Sequence, residues 1–305
     1  MAEDYPRTLI DFERRFSDES ACRAYLFTLR WPEGFVCPAC GGCLGLAIRR
    51  DLWRCMRCRR EVSVTSGTIL QDSKLPLALW FRAMWQVTSQ KNGISALGLQ
   101  RELGLGSYKT AWAMLHKLRR AMVRPGRERL QGLVEVDETY WGGEEAGVRG
   151  RQTVAKALIM VAAEADGRGI GRIRLRHVPD TSRAALHGFI AEAIEPGSAV
   201  QTDGLQAYRD LKGYSHDRLV QRHQPADTEH LLPRAHRVVS LLKRWLLGAH
   251  QGAIGNEHLD DYLDEFTFRF NRPKSASRGK LFYRLARQTV EVDPVPFAKL
   301  VNHKQ

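Results

Sequence analysis

Four cysteines constrain this chain more than any other feature. Cys37-Pro-Ala-Cys40 and Cys55-Met-Arg-Cys58 form two CxxC pairs with fourteen residues between them. That is close to the spacing by which two hairpin turns deliver four thiolates to a tetrahedral zinc ion. Gly41 and Gly42 follow the first pair and allow the tight turn such a knuckle needs. Paired disulfides or plain core cysteines are the competing explanations. Disulfides need an oxidising compartment, whereas Met1 to Arg7 carries acids and no apolar signal core, so a cytoplasmic protein is expected. Cysteines on polar, glycine-rich loops are also poor core material. Four thiolates close the coordination shell and leave no position for water, so the zinc is expected to hold the fold. Cys43 is the competing ligand, set aside because it stands just after the glycine pair; Cys22 reads as a helix core residue.

Around these cysteines stand Arg49, Arg50, Arg54, Arg57, Arg59 and Arg60, with Trp53 between them. The pattern suits a phosphate-facing surface and equally a solvated shell. Over the whole chain 47 Lys and Arg outnumber 34 Asp and Glu, giving +13 and a pI near 9.7. A polyanion is the natural partner, nucleic acid first. No apolar stretch of about 18 residues and no amphipathic anchor is present, so no membrane is expected.

At 305 residues the chain is long enough for about two domains. Residues 1–34 read as a helical segment, with a helix over 8–30 and a break with a new N-cap at Ser17 to Ser20. Residues 35–70 read as a zinc ribbon with strand-like pieces at Leu52 to Arg54 and Glu61 to Val64. Residues 71–125 are helical. Within them, Gly93 to Arg120 places a short helix, a glycine-containing turn and a second helix, a helix-turn-helix pattern. Ser107 would cap the second helix, exposing Tyr108, Lys109 and Thr110 in its first turn. Leu97, Leu99, Leu103, Leu105, Trp112, Leu115 and Leu118 would form its core. An ordinary helical hairpin fits this stretch nearly as well.

From 130 to 272 strands (Val134 to Tyr140, Ala157 to Ala163, Ile170 to Val178, Ala199 to Thr202) alternate with helices (Ser182 to Ile194, Leu205 to Leu211, Arg237 to Leu247, His258 to Phe270), an α/β pattern. Residues 273–305 read as a basic tail in which Lys274, Arg278 and Lys280 could add phosphate contacts. In the first strand Glu135 and Asp137 share a face, opposite Val134 and Val136. Such a carboxylate pair is costly unless a metal or cation compensates it. Asp203-Gly204 ends another strand, where α/β sheets gather their sites. Two hard oxygen ligands suit Mg²⁺ or Mn²⁺. Taken alone, Asp203-Gly204 reads better as a turn.

Five pieces together resemble the zinc-ribbon insertion-sequence transposases, the ISXO-like group numbered fifteen-ninety-five, with their DDE-type domain. They are Cys37 to Cys58, Val134-Glu-Val-Asp-Glu-Thr-Tyr-Trp-Gly-Gly143, Thr202-Asp-Gly-Leu-Gln-Ala-Tyr208, His236-Arg-Val-Val-Ser-Leu-Leu-Lys-Arg-Trp-Leu-Leu-Gly248 and Tyr262-Leu-Asp-Glu-Phe-Thr-Phe-Arg-Phe-Asn-Arg272. The resemblance implies an α/β ribonuclease-H-like, retroviral-integrase-like catalytic domain preceded by a small zinc ribbon and a helix-turn-helix. It implies a bacterial DNA transposase that binds terminal inverted repeats and carries out metal-dependent strand cleavage and strand transfer with Mg²⁺ or Mn²⁺. It also implies a homo-oligomer on DNA, because two element ends must meet.

The resemblance further makes Asp137 and Asp203, 66 residues apart, the first two metal ligands. The third lies on a helix seven residues before a lysine; counting back from Lys243 gives His236, 33 residues beyond Asp203. Many such enzymes hold Glu there. Imidazole is softer and neutral and suits Mn²⁺ better than Mg²⁺. Seven residues are about two helical turns, so the Lys243 ammonium shares a face with His236 and can bind DNA phosphate. Glu265, 62 residues past Asp203, is a rival third acid, its alternative being a structural ion pair with Arg269. Two further readings stay open, a relative that only binds DNA and a nuclease or resolvase-like enzyme without a joining step.

Overall fold

Aromatic side chains from opposite ends of the sequence share one core. In the computed structural model, which describes residues 3–49, 52–90, 92–124, 126–143, 156–220, 231–252, 254–272 and 278–301, the chain divides into two compact units. One comprises Met1–Gly126 and Lys274–Gln305, the other Arg127–Pro273. In chain order the elements are α1 Leu9–Arg15, α2 Glu19–Arg30, β1 Gly45–Arg49, β2 Leu52–Cys55, β3 Glu61–Ser63, α3 Leu77–Ser89, α4 Ala96–Leu103 and α5 Tyr108–Ala121. There follow β4 Leu133–Trp141, β5 Ala157–Asp166, β6 Gly169–Val178, α6 Arg183–Ala193, β7 Ala199–Asp203, β8 Ser215–Leu219, α7 Pro233–His250, α8 Leu259–Phe270, α9 Arg278–Glu291 and α10 Phe297–Val301. No helix among the described residues is long and apolar enough to cross a membrane.

The expected break at Ser17 to Ser20 is a true cap. Asp18 accepts from the Ala21 N–H at 2.8 Å and starts α2, as Thr8 starts α1 by accepting from Asp11. In the first unit, Phe12, Phe16, Tyr25, Phe81 and Trp85 from α1, α2 and α3 surround Phe282 of α9. Phe282 is fully buried, 5.4 Å from Phe12 and 5.7 Å from Phe81, centroid to centroid. Each such side chain is worth roughly 1.5–3 kcal/mol. The stretch read as a basic tail is therefore a core helix, with Leu281, Phe282, Leu285 and Ala286 buried at helical spacing. Lys280 pairs with Glu3 at 2.7 Å instead of standing free. Lys274, Arg50 and the side chain of Arg278 lie outside the described residues.

Helices α4 and α5 occupy the stretch Gly93 to Arg120 and follow one another across a short turn. Ser95 caps α4, and Gly104, at φ +61°, ends it in a left-handed turn that glycine adopts without strain. Leu99, Leu105, Leu115 and Leu118 are buried as expected, but Leu97 is 46% exposed because it lies on the outer face of α4. Ser107 occupies the N-cap position of α5, yet its side chain makes no capping hydrogen bond. Tyr108 and Lys109 are exposed in the first turn of α5, and Thr110 is half-buried.

The second unit is built on a five-stranded sheet of order β6-β5-β4-β7-β8. The β4–β5 and β5–β6 pairs are antiparallel, while β4–β7 and β7–β8 are parallel. β5 is buried on both faces, which accounts for its continuous apolar run. Ile159, Val161 and Ala163 face a cluster with Val238, Leu242 and Leu246 of α7 and Leu263 of α8. Leu158, Met160 and Ala162 face Leu186, Phe189 and Ile190 of α6 on the other side. α8 covers the sheet edge: the side chain of Asp260 accepts from the His177 N–H, and that of Asn271 bonds both the N–H and the carbonyl of Ile173.

Two expectations fail locally. The expected helix Leu205 to Leu211 is a single 3-10 turn, Gln206–Tyr208, because the Asp203 carboxylate accepts from the Leu205 N–H and folds the chain back at once. α7 begins at Pro233 rather than Arg237, since proline suits the first helical turn.

Candidate metal centres

The ribbon strands run antiparallel in the order β1-β2-β3, and the turns at their ends present the cysteines. The Sγ atoms of Cys37, Cys40, Cys55 and Cys58 all lie within 4.8 Å of one another. Cys37 and Cys58 are 3.7 Å apart, Cys40 and Cys55 3.6 Å. A tetrahedral shell with Zn–S of about 2.3 Å sets its sulfurs roughly 3.8 Å apart, whereas a disulfide needs about 2.05 Å. The four thiols thus fit zinc and not a disulfide. The Cys55 thiol is drawn down to about 6, first by the backbone N–H of Cys58, whereas the neighbouring Cys40 thiol is raised to about 11, so the thiols of the cluster do not ionise alike.

Cys43 is exposed and outside this cluster. Cys22 is buried in α2, and burial pushes its thiol up to about 12. Trp53, read as interleaving with the basic shell, packs instead at a tilt on Phe27 at 4.7 Å and stacks on Phe35 at 5.9 Å, so α2 and the ribbon share a core. Arg30 ties the same junction by donating to the carbonyls of Ser63, Val64 and Ser66. Arg49, Arg57, Arg59 and Arg60 are exposed; Arg54 pairs with Glu61 at 2.7 Å.

The acidic constellation lies in the second unit. β4 and β7 pair with Leu133 opposite Ala199, Val134 opposite Val200 and Glu135 opposite Gln201, a constant offset of 66. Carried two residues past the last pair, that offset places Asp203 beside Asp137 on the neighbouring strand, but the ligand atoms of Asp137, Asp203 and His236 are not all within 4.8 Å of one another as those of the cysteines are. His236, in the first turns of α7, reaches Asp137 with Nε2 3.2 Å from Oδ2. Asp137 and His236 are thus in contact, with Asp203 on the adjoining strand. The Asp137 side chain is 14% exposed and that of His236 44%, so the site is open on one side. Lys243 is half-buried two turns further along α7. Glu265 is fully buried on α8, the helix that packs on β6, three strands from β7.

Sequence alone assigns neither a role to Tyr208 nor a partner to Glu135. Tyr208, fully buried, donates its hydroxyl to Glu138 Oε2 at 2.8 Å. Burial, then the charges of Glu138, Asp137 and Asp203, raise its ionisation well above the ordinary tyrosine value, so it stays a neutral donor. Glu135, only 1% exposed, needs no metal: Arg234 compensates it at 2.8 Å. The repeated acids of Val134 to Glu138 and the Tyr closing Asp203 to Tyr208 were the available signals; their partners lie 70 and 99 residues away.

Residues 129–271 match the family profile described as an ISXO2-like transposase domain, and residues 17–61 match a transposase zinc-ribbon domain. The ribbon match starts within the α1–α2 break, consistent with the packing of α2 on Trp53. The chain is also similar to an uncharacterized protein in transposable element ISH50 of Halobacterium salinarum. The two are 27% identical over 290 residues, covering 85% of this chain and 94% of the relative.

Proposed function

Because this chain belongs to the ISXO2-like, zinc-ribbon insertion-sequence transposases, we propose that it binds the terminal inverted repeats of its element and cleaves and rejoins DNA strands at the 127–273 unit. The contact of His236 with Asp137, beside Asp203 in register on the adjoining strand, carries this reading. Two carboxylates and an imidazole on an open face are a donor set for Mn²⁺ or Mg²⁺ that leaves positions for water and phosphate. When bound, a metal pair there activates the attacking water or 3′ hydroxyl and stabilises the leaving oxygen.

Asp137, Asp203 and His236 hold the metal, and Lys243 binds a DNA phosphate on the same side of α7. The sheet order, with β4 between an antiparallel hairpin and two parallel strands, supports a ribonuclease-H-like domain. The exposed start of α5 serves as the recognition helix, and the exposed arginines of the zinc-held ribbon contact phosphate. Two copies meet at paired ends.

A strand-transfer assay on paired element ends tests the reading. The wild type should yield joined product with Mn²⁺; cut but unjoined ends would mark a nuclease, and binding alone a regulator. Asp203→Asn should abolish cleavage while leaving end binding intact, and retained cleavage in that variant rejects the assignment.

A further inference from the structure

His236 follows directly on a buried contact with β4, and we infer that Glu135 is its positioning residue: the carboxylate anchors the start of α7 so that the imidazole faces the metal site. Glu135 lies two residues before Asp137 on the same face of β4. Its Oε2 accepts from the backbone N–H groups of Arg234 at 2.7 Å and Ala235 at 3.0 Å, the two residues immediately before His236. Its Oε1 accepts from Nη1 of Arg234 at 2.8 Å.

The remaining Arg234 donors are committed as well. Nε donates to the Gly169 carbonyl and Nη2 to that of Gly167, each at 3.0 Å, at the β5–β6 turn. The start of α7 is therefore fixed at once to β4 and to the β5–β6 hairpin. A carboxylate at a helix N-terminus also meets the positive end of the helix dipole. One strand thus carries both an acid that meets His236 and an acid that sets where His236 stands. Neighbours that orient a ligand without touching the metal tune its affinity strongly.

The inference rests on the reading that Asp137, Asp203 and His236 hold a divalent cation. Mn²⁺ binding to the full chain is measured by isothermal titration calorimetry, with the far-ultraviolet spectrum and melting temperature recorded alongside. Wild type should bind and Asp137→Asn should not; if wild type shows no Asp137-dependent binding, the proposed metal site itself fails.

Given that binding, Glu135→Gln and the milder Arg234→Lys should weaken Mn²⁺ affinity by about 10-fold or more with the fold retained. In a His236→Ala background the same changes should have no further effect, because the anchor acts through His236. Unchanged affinity in the folded variants overturns the inference. So does an equal loss in the His236→Ala background, which would mark a merely structural role. Should Glu135→Gln not fold, Arg234→Lys alone decides.

Discussion

The cysteine cluster draws its four residues from a 22-residue stretch, whereas the acidic site gathers its three from 100 residues and three separate elements. Closing short loops costs little chain entropy, so the ribbon can assemble on two turns and a small sheet. The acidic site depends on strand register, on a helix anchored beneath its first turn, and on a two-sided core. Exposure does not separate the two: Cys37 and Cys55 are buried but Cys58 is exposed, and the Asp137 side chain is largely buried while that of His236 is open to solvent. A closed thiolate shell holds structure, and an open oxygen-rich one leaves room for a substrate. The cysteine cluster is legible along the chain, whereas the set proposed for chemistry is drawn from three separate elements.

Removing zinc is the strongest way to break this contrast. Structural zinc sites in small peptides contribute about 10–16 kcal/mol. Chelation, or Cys55→Ser, should therefore strip hydrogen-exchange protection from the amides of β1, β2 and β3 while Mn²⁺ affinity at the acidic site holds. Protection that survives verified zinc loss would show a ribbon that does not need its metal. A smaller effect sharpens the open site. His236→Glu should move the cleavage preference from Mn²⁺ towards Mg²⁺ by roughly 10-fold, read as the ratio of rates in the two metals; no movement would make His236 structural.

The smallest effect concerns the link between the acid-bearing strands. Tyr208→Phe keeps the buried ring but removes the hydroxyl donated to Glu138, costing about 1–3 kcal/mol in denaturant unfolding. Tyr208 ionises at a raised pH in the folded chain. The stability this brings is therefore complete below the unfolded tyrosine value of about 10 and is lost as pH climbs towards the folded one. The variant should flatten that alkaline decline; an unchanged decline would show that Tyr208 does not carry it.

Legibility followed the length of chain each feature spans. The cysteine spacing and the apolar runs of β4, β5 and β6 are local signals, and the structure follows them. β8 went unread because Ser-His-Asp-Arg-Leu is an edge strand with no alternation to detect. The start of α7 was misjudged because Pro233 reads equally as a breaker and as a first-turn residue. Glu135 was recognised as a costly carboxylate, but its partner Arg234 is 99 residues away and no periodicity points to it. α9 is the reverse case. Leu281, Phe282, Leu285 and Ala286 carry helical spacing, but they stand among basic residues whose charge suits a solvated tail equally well.

Placing Phe282 at the centre of a core begun by Phe12 fixes a timetable for the nascent protein. Ribosomes add about 5–20 residues per second, and residues 127–273 are all made before α9 exists. The half that starts first is therefore finished last, and the five-stranded sheet has its whole sequence available before the aromatic core receives its final ring. A message cut short before residue 282 would yield a complete 127–273 unit and an unsealed N-terminal one.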